Sequence, residues 1–169
     1  MIIRAERPDD VASISDVNGR AFQQDDEGKI VERIRAGEHF VPGLSLVAEE
    51  NGHIVGHILL SKTKIMGAEA YDTLILGPVA VLPEFQRQGI GGTLVIEGLR
   101  RARELGFDSV ILVGHAEYYP RFGFEKASKW GIECPFDVPD EACMAVELHD
   151  GALKGKPGII QFPKEFGLD

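Results

Sequence analysis

Cysteine is scarce: the 169-residue chain has two, Cys134 and Cys143, and no histidine stands at metal-ligand spacing from either. A disulfide framework and a zinc site are both unexpected, so the two thiols read as small buried apolar groups and no metal is implied. Long apolar runs are missing too, and no segment approaches membrane-spanning length. The start, Met1-Ile-Ile-Arg-Ala-Glu6, lacks the cationic-then-apolar pattern of a secretory leader. A soluble, cytoplasmic protein with no membrane partner is the expectation. Basic residues are outnumbered, 18 Lys and Arg against 27 Asp and Glu, for a formal charge of −9. That balance argues against a nucleic-acid partner, which would need a basic surface, and suits neutral or cationic ones. Repeats and low-complexity stretches are absent, and the length fits one domain with a sizeable core.

What is present alternates between strand and helix patterns. Ile2 and Ile3 suggest a short first strand. Pro8 suits a first helical turn, after which Val11, Ile14, Val17 and Phe22 recur at helical spacing. Asp25 and Asp26 offer an N-cap to a second helix carrying Ile30, Val31 and Ile34, stopped by Gly37. Leu44 to Glu49 and Ile54 to Ser61 read as a hairpin turned at Asn51-Gly52. Thr73 to Leu82 is a long apolar strand interrupted at Gly77-Pro78, where proline has no N–H to give and pairing should bulge or stop. Ile90, Leu94, Leu99, Ala102 and Leu105 form the inner stripe of a helix whose solvated face carries Arg100, Arg101, Arg103 and Glu104, with Gly106-Phe107 as a left-handed cap. Asp108 to Gly114 reads as a fifth strand, Tyr118 to Phe122 as a helical turn, and Ala142 to Leu148 as a final strand. A βα unit followed by antiparallel strands gives an α/β fold with a mixed sheet.

Between the strand ending near Val81 and the helix starting near Ile90 lies a glycine-rich turn with Gly89, Gly91 and Gly92. Glycines there let backbone N–H groups approach an anion closely, and the helix N-terminus and Arg87 add positive charge. The segment lacks the Gly-Lys-Ser/Thr ending of a nucleotide P-loop, and Leu94 stands where a dinucleotide fingerprint needs its third glycine. What remains, Gln86-x-x-Gly89-x-Gly91 after Val79-x-Val81-x-Pro83, resembles the acetyl-CoA pyrophosphate loop of the GNAT superfamily of N-acetyltransferases. One helix and one strand later, Tyr118-Tyr-Pro-Arg-Phe-Gly-Phe124 resembles that family's Tyr-x-x-x-Gly-Phe signature. The similarity runs from Ile2 to about Leu148, closest to a small bacterial branch with a late Pro135 to Ala142 run.

The resemblance implies a mostly antiparallel, twisted mixed sheet flanked by helices and splayed between strands 4 and 5. An acetyltransferase domain would span 1–150, with 151–169 an extension packed on it or at a dimer contact. Acetyl-CoA would be the donor, its pantetheine arm alongside Val79, Ala80 and Val81 and its pyrophosphate on the backbone of Arg87, Gln88, Gly89, Ile90, Gly91, Gly92 and Thr93. Gly114 and Phe122 would complete the cofactor site. Tyr119 matches the family's general acid for the leaving thiolate. Some members carry a basic carboxylate on the fourth strand, but Leu74 to Leu82 contains no acid. His57, His115, Glu117, a water chain or an amine arriving neutral are then the open choices for the base's work. The acceptor would be a small-molecule or protein amine, met by Ala21 to Val41 and Trp130 to Ala142, in a monomer or homodimer. Both cysteines lie outside the transfer motifs, which favours direct attack over an acyl-enzyme. A non-catalytic acyl-CoA-binding regulator and a phosphate-binding structural domain are the alternative readings.

Overall fold

The computed structural model describes residues 1–168. Strand β1 (Ile2–Ala5) pairs antiparallel with β2 (Ser45–Glu50), and β2 with β3 (His53–Met66). The turn between β2 and β3 holds Asn51 and Gly52 at φ 50° and 80°, the left-handed pair that matches the twist of a tight hairpin. Strands β4 (Ala70–Val81), β5 (Ser109–Val113), β6 (Glu125–Lys126), β7 (Ile132–Glu133), β8 (Cys143–Glu147) and β9 (Gly158–Gln161) complete the sheet among the described residues, in the order β1-β2-β3-β4-β5-β8-β6, with β9 pairing β3 and β7. Parallel pairing joins β4 to β5 and β7 to β9. The β3–β9, β5–β8 and β6–β8 ladders are antiparallel. The expected mixed, mostly antiparallel α/β sheet is therefore present.

By its internal packing the chain forms two compact units, Met1–Ser61 with Leu76–Arg101, and Lys62–Ile75 with the residues from Ala102 onward. In the first, a 3-10 turn at Pro8–Asp10 leads into helix α1 (Val11–Phe22), followed by α2 (Asp26–Arg35). Ile14, Val17, Val31 and Ile34 are buried as the helical spacing requires. Phe22 is not: at the last helical position it is exposed. Asp25 is the N-cap of α2 but makes no side-chain cap bond, because its backbone is already helical. Helix α3 (Ile90–Glu104) lies on β3 through glycines: a Cβ on Gly56 would sit 3.1 Å from Leu94, and one on Gly98 3.0 Å from Leu60.

The second unit takes Leu105, which is exposed because α3 has ended before it, and the cap that follows. Gly106 (φ 90°) gives its N–H to Arg103 and Phe107 gives its own to Ala102, closing the helix as expected. The parallel ladder pairs Leu74 with Val110 and Ile75 with Ile111, stopping just before Gly77-Pro78, a cis peptide. Strand β8 is not the last strand. Gly158–Gln161 follows it as β9, pairing with Lys64–Met66 of β3, and Ile65, Ile132, Leu153 and Ile160 share the core beneath.

Candidate functional site

The first unit carries the glycine-rich turn. After β4, Pro83–Phe85 makes a 3-10 turn, anchored by the Leu82 N–H on the Val55 carbonyl, 2.9 Å. The chain then reverses through Arg87 (φ 64°) and Gly89 (φ 84°) into α3. Gly91 and Gly92 belong to the first turn of α3, so the backbone demand for glycine falls at Gly89. Among the described residues, no N–H from Arg87 to Gly92 is taken by a protein acceptor, and the first helical N–H groups have no intrahelical partner by geometry. This leaves a row of free donors at the positive end of a four-turn helix. Thr93 differs from the expectation: its N–H is committed to the Gly89 carbonyl at 3.0 Å and its hydroxyl to the same oxygen at 2.8 Å. The free row ends at Gly92. Side chains frame it, with Gln86 Nε2 on the Val81 carbonyl at 3.0 Å and Gln88 Nε2 on that of Glu84 at 3.4 Å. On β4, Val79 and Val81 are half-buried while Ala80 is buried inward. Ala80 therefore has only its backbone to offer a ligand.

The second unit carries the tyrosines. The chain leaves β5 at Gly114, whose N–H reaches the Ala142 carbonyl at 3.0 Å. A Cβ on Gly114 would lie 2.8 Å from Tyr119 Cε2, so glycine here seats the Tyr119 ring, a contact with no signal in the sequence. The ring meets Tyr118 and Phe124 edge-on, at centroid distances of 5.1 and 5.8 Å, and Phe122 at 6.4 Å. Burial in this aromatic nest, with a smaller effect from Tyr118, pushes the Tyr119 pKa up to about 12. Among the described residues the hydroxyl has no hydrogen-bond partner and is not one of the sealed polar atoms. It is a protonated donor. Tyr118 is occupied differently: the Arg121 guanidinium lies 4.5 Å above its ring while Arg121 Nε donates to the Tyr118 carbonyl at 2.8 Å.

Of the residues considered as bases, His57 is ill suited. It is fully buried in the first unit, and burial, with Arg35 adding repulsion, lowers its pKa to about 3. Its Nδ1 accepts from Asn18 Nδ2 (3.3 Å), and its Nε2 lies 2.9 Å from Ser45 Oγ. Ser45 in turn donates to Glu6, which Arg35 grips through two bonds of 2.6 and 3.1 Å. The chain of bonds ties α1, β2, β3 and α2 together. His115 and Glu117 are exposed in the second unit. A cavity of about 700 Å³ in the first unit is lined by residues including Arg4, Asp10, Asp16, Glu49 and Phe85. It touches none of the predicted cofactor residues, and Arg4 there is already bound to Asp10 and Glu49. Among the described residues no three His, Cys, Asp or Glu side chains are placed to hold an ion, and no helix is long and apolar enough to cross a membrane.

The chain belongs to the acetyltransferase (GNAT) family, whose model matches residues 11–124. It is 38% identical over 142 residues to the uncharacterized N-acetyltransferase YjhQ of Escherichia coli K12, covering 82% of this chain and 78% of that one. With the uncharacterized N-acetyltransferase YhbS of the same strain it shares 31% identity over 166 residues, 98% of each chain. The crystal structure of E. coli YhbS in complex with CoA superposes with a TM-score of 0.92 over 98% of this chain and 91% of that one. A GNAT family acetyltransferase from Brucella melitensis, in complex with acetyl-CoA, is 35% identical with a TM-score of 0.80, over 98% and 97%.

Proposed function

We propose that this acetyltransferase takes its acetyl group from acetyl-CoA and passes it to a primary amine by direct attack. The observation that carries the reading is the row of unclaimed N–H groups from Arg87 to Gly92 at the start of α3, a cradle for a pyrophosphate. The related structures that hold CoA and acetyl-CoA support it. In this reading the pantetheine arm runs along the half-buried Val79 and Val81, and a backbone N–H near Val79 receives the thioester oxygen as its charge grows. The amine nitrogen attacks the carbonyl carbon, the C–S bond breaks, and the departing thiolate takes a proton from the Tyr119 hydroxyl, which the proton shed by the amine replaces. The acceptor is a small molecule or a protein amine.

The first test is thermal shift with acetyl-CoA, ATP and NAD in parallel. Stabilisation by acetyl-CoA alone supports the reading. Equal stabilisation by all three would instead identify a general phosphate-binding domain, and binding without thiol release in the presence of any amine would identify a regulator.

A further inference from the structure

Cys134 and Cys143 lie outside both motifs, yet the fold brings their sulfurs to 2.8 Å of each other, against about 2.0 Å in a formed disulfide. Cys134 directly follows β7, and Cys143 opens β8 opposite Val113, the last residue of β5. Between them runs the 135–142 segment, whose last residue receives the N–H of Gly114, the glycine that seats Tyr119. Cys143 is buried and Cys134 half-buried, so a small oxidant meets Cys134 first. The Cys134 thiol donates to Cys143 and lowers its pKa, while that hydrogen bond and burial push Cys134 up. The hydrogen bond thus holds the proton on Cys134 and favours the thiolate on Cys143.

We propose that Cys134 and Cys143 are a redox modification site, forming a reversible intrachain disulfide that clamps the 135–142 segment. The oxidant class is a low-molecular-weight disulfide, RSSR. Cys134, the more accessible thiol, loses its proton to water as it attacks one sulfur of RSSR and expels RS⁻, giving a mixed disulfide. Cys143 then loses its proton to water and attacks the Cys134 sulfur, forming the S–S bond and expelling a second RS⁻. Two protein thiols are oxidised, one RSSR is reduced to two thiols, and the two protons end on RS⁻. The proposal does not depend on the acceptor or on acetyl transfer.

The test incubates the full chain with oxidised glutathione and follows thiol titration, intact mass and non-reducing electrophoresis. The expected product is monomeric, with both thiols lost, no added glutathione, and a mass lower by two hydrogens. It should resist proteolysis within 135–142 and melt about 5–10 °C higher, as closure of a short loop allows. Dithiothreitol should restore both thiols. Cys143→Ser should stop at a glutathione adduct on Cys134. Two free thiols after incubation, a stable adduct on the unaltered chain, or a disulfide-linked dimer would each overturn the proposal.

Discussion

Three aromatic rings surround the Tyr119 phenol, and burial among them pushes its pKa up from 10 to about 12, further above neutral pH. Replacing it with Phe removes one oxygen and keeps the packing, so kcat should fall by about a hundredfold to ten-thousandfold with little change in acetyl-CoA affinity. Tyr118→Phe should stay near wild type, since that ring serves Arg121. Steady-state kinetics at saturating substrates, with chemistry rate-limiting, decides between them, and equal activity of Tyr119→Phe and wild type would remove Tyr119 from the reaction. Gly114→Ala makes an independent claim. Its Cβ would intrude on the Tyr119 ring at 2.8 Å, and a ring displaced by about 1 Å can cost about a hundredfold in kcat. Full activity in that variant would show that the seat is not needed.

At the scale of elements, the glycine-rich turn from β4 into α3 was legible in the sequence, but the division of labour among its glycines was not. Only Gly89 of the three needs left-handed backbone, at φ 84°; Gly91 lies in α3, whose backbone admits any side chain, so in the proposed function its glycine serves an approaching ligand. Gly91→Val should therefore fold normally and bind acetyl-CoA more weakly, whereas Gly89→Val should also lose about 1–2 kcal/mol of stability to backbone strain. Calorimetry and thermal melting separate the two effects, and unchanged affinity in folded Gly91→Val would count against the cradle. The hairpin at Asn51-Gly52 and the Gly106-Phe107 cap were readable because local turn chemistry fixes them. Strand β9 was not, since a short Gly-Ile-Ile-Gln run acquires its strand character from β3 and β7, far away in sequence.

The whole molecule adds two pH- and salt-dependent expectations. His57 has its pKa depressed from 6.5 to about 3, so between those values the unfolded chain binds a proton that the folded chain refuses. That contribution to stability is present above about pH 6.5 and is lost as pH falls toward 3, at up to about 1.4 kcal/mol per pH unit. Urea titrations from pH 7 to 4 should show a steeper loss for wild type than for His57→Gln; parallel slopes would contradict the assignment. The charge of −9, with Asp25, Asp26 and Glu32 exposed around the start of α2 and along it, favours a cationic acceptor. The kcat/KM for the amine should then fall as salt rises, and salt-independent turnover with anionic acceptors preferred would exclude steering by these acids. Sequence motifs carried the family and its two motif segments because each is local and contiguous. The acceptor was not legible, since variable helices and loops would meet it. The most direct measurement is a screen of amines with acetyl-CoA and the full chain, following released thiol and acetylated amine together. Acetyl transfer predicts equal amounts of both, appearing only when enzyme and amine are present; acetyl-CoA that binds but releases no thiol with any amine would contradict it.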